Sequence, residues 1–176
     1  EGKIGLMSAH NDERHYLKIN RRMFDSIQKS HESVKRNANP TVYATTFKTY
    51  KDDLPVYIVQ YWFFFWASNA GSTRVPWHEC DWEMVMYYLD ENLRPLKAGY
   101  SQHYYGRVKR WKHVEQEEGS PVVYVSLGGH SMHFTEGRHK AYIDNQKNVQ
   151  IGYDLCFKSK RWGPSDYKLE IIADST

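Results

Sequence analysis

With 24 lysines and arginines against 21 acids, the 176-residue chain carries a net charge of only +3, too little to mark nucleic acid as a partner. Its length fits a single domain able to bury a substantial core. Aromatic usage stands out at 14 Tyr, 7 Phe and 6 Trp, which suits pleated sheet and also surfaces that stack on sugars or sit at a lipid interface.

Residues 1–40 read as a helical N-terminal segment. Tyr16, Ile19, Met23, Phe24 and Ile27 recur at helical spacing with Lys, Arg and Asp between them, the pattern of an amphipathic helix. Its basic side reads as a solvated face, with a membrane-surface role as the alternative. Asn39-Pro40 closes it, because the residue before proline avoids the helical region.

Residues 41–134 read as a β core. The stretch 41–50 is rich in Thr, Val, Tyr and Phe, residues 51–55 make a turn, and 56–66 is almost continuously apolar, as in a strand buried on both faces. The longest apolar run, 61–67, is too short to span a bilayer as a helix. Further strands are expected at 83–89, 97–105 (with 106–113 as a continuation), and 121–127, where Gly128-Gly129 ends the run. Residues 135–176 read as loop-rich and basic, with a last strand at 168–172. The expected fold is a mostly β, antiparallel β-sandwich with one N-terminal amphipathic helix.

The chemistry concentrates at His78-Glu79-Cys80-Asp81-Trp82-Glu83. Ionised groups at the start of a core strand cost several kcal/mol unless paired or bound to a cation (about that order). Strand alternation puts Asp81 and Glu83 on one face, about 7 Å apart. His78 has the opposite parity and joins them only if the chain turns between Pro76 and Asp81. Such an oxygen and nitrogen set suits magnesium, calcium or manganese better than structural zinc. A surface carboxylate pair with a capping histidine is the alternative.

Histidines at other strand ends extend the site. Ser101-Gln102-His103 ends the fourth strand, and His130 and His133 follow the Gly pair, where backbone can approach a ligand closely. His103 and His130 are expected to share a pocket, with His133 nearby. Trp77, Trp82 and Trp111 read as core or rim aromatics, with one of them, Trp77 or Trp111, as a stacking wall for a sugar or head group as the alternative. Cys80 reads as a buried thiol, with a histidine-activated nucleophile as the alternative. Cys80 and Cys156 allow one disulfide but not a framework.

Several motifs in order, from Tyr61-Trp62-Phe63-Phe64-Phe65 through the hexapeptide to Tyr100-Ser101-Gln102-His103, Pro121-Val122-Val123-Tyr124-Val125 and Gly128-Gly129-His130-Ser131, resemble the vacuolar protein sorting sixty-two-like family over about residues 42–134. Its hallmark reads H-E-G-D-W-E, so Cys80 stands where glycine is usual. The hexapeptide is also similar to the G-H-R-H-D-W-E heptapeptide of necrosis- and ethylene-inducing-like proteins, secreted β-sandwich cytolysins that hold a divalent cation and recognise sphingolipid head groups. That resemblance implies His78, Asp81 and Glu83 as ion ligands. The loop aspartate of that family falls near Asn69, which is neutral, and Trp77 replaces the opening glycine.

The expected function is a divalent-cation-dependent recognition domain that binds a glycan, lipid head group or other small polar ligand, with peripheral membrane contact as a corollary. A metal-dependent hydrolase using Glu79 or His103 as base and His130 beside the leaving oxygen is the alternative. A cytolysin-like membrane toxin is a further one. The compartment is open, with a secreted or host-membrane-associated protein in view. Glu1 stands where a processed terminus or an excised domain boundary would.

Overall fold

The computed structural model describes residues 40–68, 78–142, 149–158 and 167–175. The expected N-terminal helix lies outside the described residues, as do Asn69 and Trp77. Among the described residues no helix is long and apolar enough to cross a membrane.

The architecture is mostly β. Strands β1 (Thr41–Lys51) and β2 (Leu54–Ser68) form the expected hairpin. Asp52 and Asp53 turn it with φ of 52° and 62°, as a two-residue turn of matching twist demands. β3 (His78–Leu89), β4 (Pro95–Gln102) and β5 (Tyr105–Arg110) extend the sheet antiparallel. After the small pieces β6 (Gln116–Glu117), β7 (Ser120–Pro121), β8 (Tyr124–Val125) and β9 (Met132–His133) comes a hairpin, β10 (Gly137–Tyr142) and β11 (Gln150–Cys156). The last strand, β12 (Lys168–Ser175), returns to lie parallel to β1. The large sheet therefore runs β12-β1-β2-β3-β4-β5.

Three differences from the sequence reading have physical causes. Strand β3 begins at His78, because backbone pairing with Ser68 and Ala67 recruits the polar hexapeptide into the ladder. The Val-rich stretch 121–127 forms only short bridges, because it lies across the sheet as a cover rather than as a sheet member. The basic segment after 134 contains the β10–β11 hairpin, whose alternation of Arg, His, Lys and Tyr has too few apolar residues to register as a strand.

One face of the large sheet carries the core. Val85 and Tyr100 pair across β3 and β4, and Ala98 pairs with Tyr87. These inward residues meet Val114, Met132 and Phe134 from the covering segment. Tyr100 stacks on Phe134 at 3.9 Å and donates its hydroxyl to the Val122 carbonyl at 3.2 Å. The β10–β11 hairpin joins this cover through the Leu127 N–H, which donates to the Leu155 carbonyl at 2.9 Å. Two β layers enclose one core, and the polar site lies where that core runs out.

Candidate functional site

Alternation along β3 turns Asp81 and Glu83 inward, in line with Val85 and Tyr87. Across the ladder Asp81 faces Phe65 and Glu83 faces Phe63. The two carboxylates thus continue the core stripe towards the open end of the sheet. Glu83 is only 3% exposed. Its Oε2 accepts a short hydrogen bond from the Ser101 hydroxyl, whose oxygen accepts the Met84 N–H at 2.7 Å. Burial, reinforced by Asp81 and Asp154, pushes the Glu83 carboxyl up to about 7 despite the Ser101 bond.

His130 reaches Asp81 from the loop between β8 and β9. Its Nδ1–H donates to Asp81 Oδ2 at 3.0 Å, and its ring stacks on Phe65 at 4.0 Å and within 1° of parallel. Aspartate and phenylalanine together fix the ring and leave Nε2 as the atom that can meet a ligand. Both side chains remain partly open, His130 at 19% and Asp81 at 15% exposed.

A second group of bonds lies deeper. Asp154 on β11 bridges two histidines, accepting from His103 Nε2 at 2.9 Å and from His133 Nε2 at 3.1 Å. The tautomer of His133 follows from its other neighbour. The Gln102 amide nitrogen donates to the Met132 carbonyl at 2.9 Å and to His133 Nδ1 at 3.0 Å, so Nε2 carries the proton. Gln102 Oε1 is left buried with no hydrogen-bond partner, an acceptor of the kind that a water or ligand hydroxyl satisfies.

The charges sort themselves accordingly. Burial alone would raise the Asp154 carboxyl, but bonds from His103 and His133 outweigh it and hold the group well below the usual carboxylate range. Burial also opposes charge on His103, yet Asp154, Glu83 and Asp81 overcome it and raise its proton affinity. On His133 burial wins, and the ring is held towards its neutral form.

Ser131, His133 and Asp154 are mutually bonded but do not make a nucleophilic triad. Ser131 Oγ and Asp154 both engage Nε2 of His133, and all three residues are buried. A triad needs its base and its orienting carboxylate on opposite ring nitrogens. This set is structural support for His103.

Of the seven described non-glycine residues with positive φ, three lie at this site and four lie elsewhere: Asp52, Asp53, Leu93 and Glu118. His103 (φ 51°), His130 (φ 57°) and Cys80 (φ 60°) are left-handed, a region that costs a side chain about 1–2 kcal/mol. His103 opens the two-residue turn between β4 and β5, where glycine is favoured. Cys80 occupies the left-handed position at the residue where the resembled hallmark has glycine. Strained residues persist where surroundings over-determine them, and they cluster at functional sites.

The remaining sequence candidates are placed as follows. His78 is exposed at the start of β3. The Glu79 side chain lies outside the described ones. His133 is sealed at 3% exposure. Trp111 packs edge-on against Tyr87 at 6.0 Å and closes the core. Cys80, half-buried rather than buried, and Cys156 are not joined in a disulfide, and burial pushes the Cys156 thiol up to about 12. Among the described residues no three His, Cys, Asp or Glu side chains are gathered as metal ligands. Asp81 accepts a hydrogen bond from His130 and Glu83 one from Ser101 in this structure. Asp154 and Gln102 escaped the sequence reading, because a lone acid in a basic hairpin and a lone glutamine in a strand carry no local signal.

No protein-family model matches the chain, and no curated protein matches it. Solved structures overlap it in part. NLPPya, a necrosis- and ethylene-inducing-like protein, aligns in complex with mannosamine at 20% identity, covering 54% of this chain and 44% of that one, with a TM-score of 0.42. Its complex with glucosamine aligns at 22% identity over 55% and 46%, with a TM-score of 0.43. A structure described as a toxin fold for microbial attack and plant defense aligns at 20% identity over 55% and 46%, with a TM-score of 0.44. The chain spans less than half the length of each.

Proposed function

We propose that this chain is a recognition domain whose polar site binds a hydroxyl-rich head group, either a free glycan or the head group of a lipid. One observation carries the reading: two histidines in left-handed backbone are each locked by a buried or half-buried carboxylate around the Asp81–Glu83 face. Preorganised donors and acceptors of this kind bind without the entropy of ordering them. His130 Nε2 and the Asp81 carboxylate would accept hydrogen bonds from ligand hydroxyls at the rim. His103, with its raised proton affinity, would donate from its remaining nitrogen. The Phe65–His130 stack adds a flat apolar edge against which a sugar ring can rest.

Saturation-transfer NMR against neutral sugars, amino sugars and soluble lipid head groups tests this directly. Transfer to one class, lost in His130→Ala while the fold persists, is the expected result. Silence across the panel, or transfer unchanged in that variant, overturns it.

The divalent cation is a separate arm of the proposal. Asp81 and Glu83, side by side on β3, are the carboxylates that would take it, after releasing His130 and Ser101. A rise in melting temperature with calcium, magnesium or manganese, abolished in Asp81→Asn, would support that arm. No rise with any of the three removes the ion and leaves the head-group reading standing.

Glu83 favours a second reading, hydrolysis. A carboxyl pushed up to about 7 is of the kind that could serve as a general acid, with Asp81 two residues away on the same strand, at a backbone spacing of about 7 Å. Turnover of chromogenic glycosides, phosphodiesters or esters, abolished in Glu83→Gln, supports it, and silence on all three counts against it. Cytolysis, the third reading, requires dye release from liposomes that carry the recognised head group and none from phosphatidylcholine alone.

A further inference from the structure

Directly opposed residues on neighbouring antiparallel strands stand on one face. In the β10–β11 hairpin Arg138 opposes Leu155 and Lys140 opposes Tyr153. These four side chains therefore share one surface, and the Arg138 guanidinium lies 3.5 Å over the Tyr153 ring. The intervening pair, His139 and Asp154, turns the other way. His139 stacks on His133 at 4.2 Å and Asp154 enters the buried network. Phe157 follows directly after β11, two residues past Leu155, and the Leu127 backbone N–H donates to the Leu155 carbonyl, so both border this surface.

The resulting surface faces outward and has an unusual composition. Leu127 is 73% exposed and Phe157 61%. Tyr153 and Leu155 are also exposed, and so are Arg138 and Lys140. Among the described residues of β8, β10 and β11 the one carboxylate is Asp154, and it points inward. Adjacent exposed apolar side chains are not normal surface scatter. Interleaved with cations and an amphipathic ring, they match an interface between water and lipid.

We propose that this outward surface is a docking site for an anionic lipid bilayer. Leu127, Leu155 and Phe157 enter the head-group region, and Arg138 and Lys140 meet lipid phosphates. A second copy of the chain fits this face poorly, since two-fold self-packing would set Arg138 and Lys140 of each copy against the same cations. The proposal does not depend on the polar site. Its residues lie on the opposite side of β11 from Asp154, so either conclusion can fail without the other.

Cosedimentation with vesicles decides the matter. The chain is expected to pellet with equimolar phosphatidylcholine and phosphatidylserine, less with phosphatidylcholine alone, and less again as salt is raised. Arg138→Glu with Lys140→Glu is expected to weaken partitioning by about tenfold or more, as is Leu127→Ser with Phe157→Ser. Arg138→Lys, which keeps the charge, retains binding and controls for misfolding. Equal binding to both vesicle types, or binding indifferent to the paired variants, overturns the proposal. So does a concentration-dependent dimer that those variants abolish. Saturation transfer at the polar site is expected to survive in all of them.

Discussion

Two carboxylate–histidine groups, one on His130 and one on His133 three residues later, make the same bond to opposite ends. Asp81 and His130 meet at 3.0 Å with both partly open to solvent, while Asp154 bridges His103 and His133 at 2.9 and 3.1 Å with both oxygens sealed. The open pair leaves a ring nitrogen for a ligand. The sealed group spends its oxygens on two histidines and serves to hold His103 in place. The same two residue types thus stand open or sealed according to their depth.

The sharpest test of that contrast is to remove each carboxylate. Asp154→Ala strands two buried imidazoles and is expected to cost about 3–5 kcal/mol in urea denaturation. Asp81→Ala, at the open pair, is expected to cost about 1 kcal/mol or less. Equal losses would break the comparison. The pH dependence has a defined sign. Because the Asp154 carboxyl is depressed, its contribution is present above the ordinary aspartate range and is lost as pH falls below it.

Glu83 behaves oppositely. Its carboxyl is raised to about 7, so stability is present when it is protonated and is lost as pH rises from the ordinary glutamate range through about 7. Glu83→Gln should therefore gain on the wild type between pH 5 and pH 8, by on the order of 2 kcal/mol in paired chemical melts. A flat difference across that range would show that Glu83 titrates normally. Cys80→Gly relieves the left-handed backbone beside Asp81 and is expected to add about 1 kcal/mol, read as a higher melting temperature with ligand transfer retained. The smallest stability change belongs to His130→Ala, within about 1 kcal/mol of wild type. In that variant transfer to the bound head group is lost.

Local pattern made much of this legible. The turn at Asp52-Asp53, the apolar run of β2 and the inward parity of Asp81 and Glu83 all follow from alternation and turn chemistry, which act over a few residues. The strands of the β10–β11 hairpin were not legible. Their stability comes from pairing with each other and from docking on the cover, and their alternate residues are charged. His133 illustrates the same limit. Beside His130 in a glycine-rich loop it reads as an equal candidate, yet the packing of β9 on β4 seals it.

By itself the amino-acid order determined a mostly β chain and the polar hexapeptide as its chemical focus. It also put His103 and His130 at strand ends, because side-chain period and turn residues are properties of short segments. Only the tertiary structure decided that Asp154 and Gln102 bond to the buried histidines, that Trp111 packs in the core and that His78 is exposed. It alone decided that one carboxylate–histidine group is open and the other closed. Depth depends on which strands cover which face, and that is settled by contacts between residues far apart in the chain.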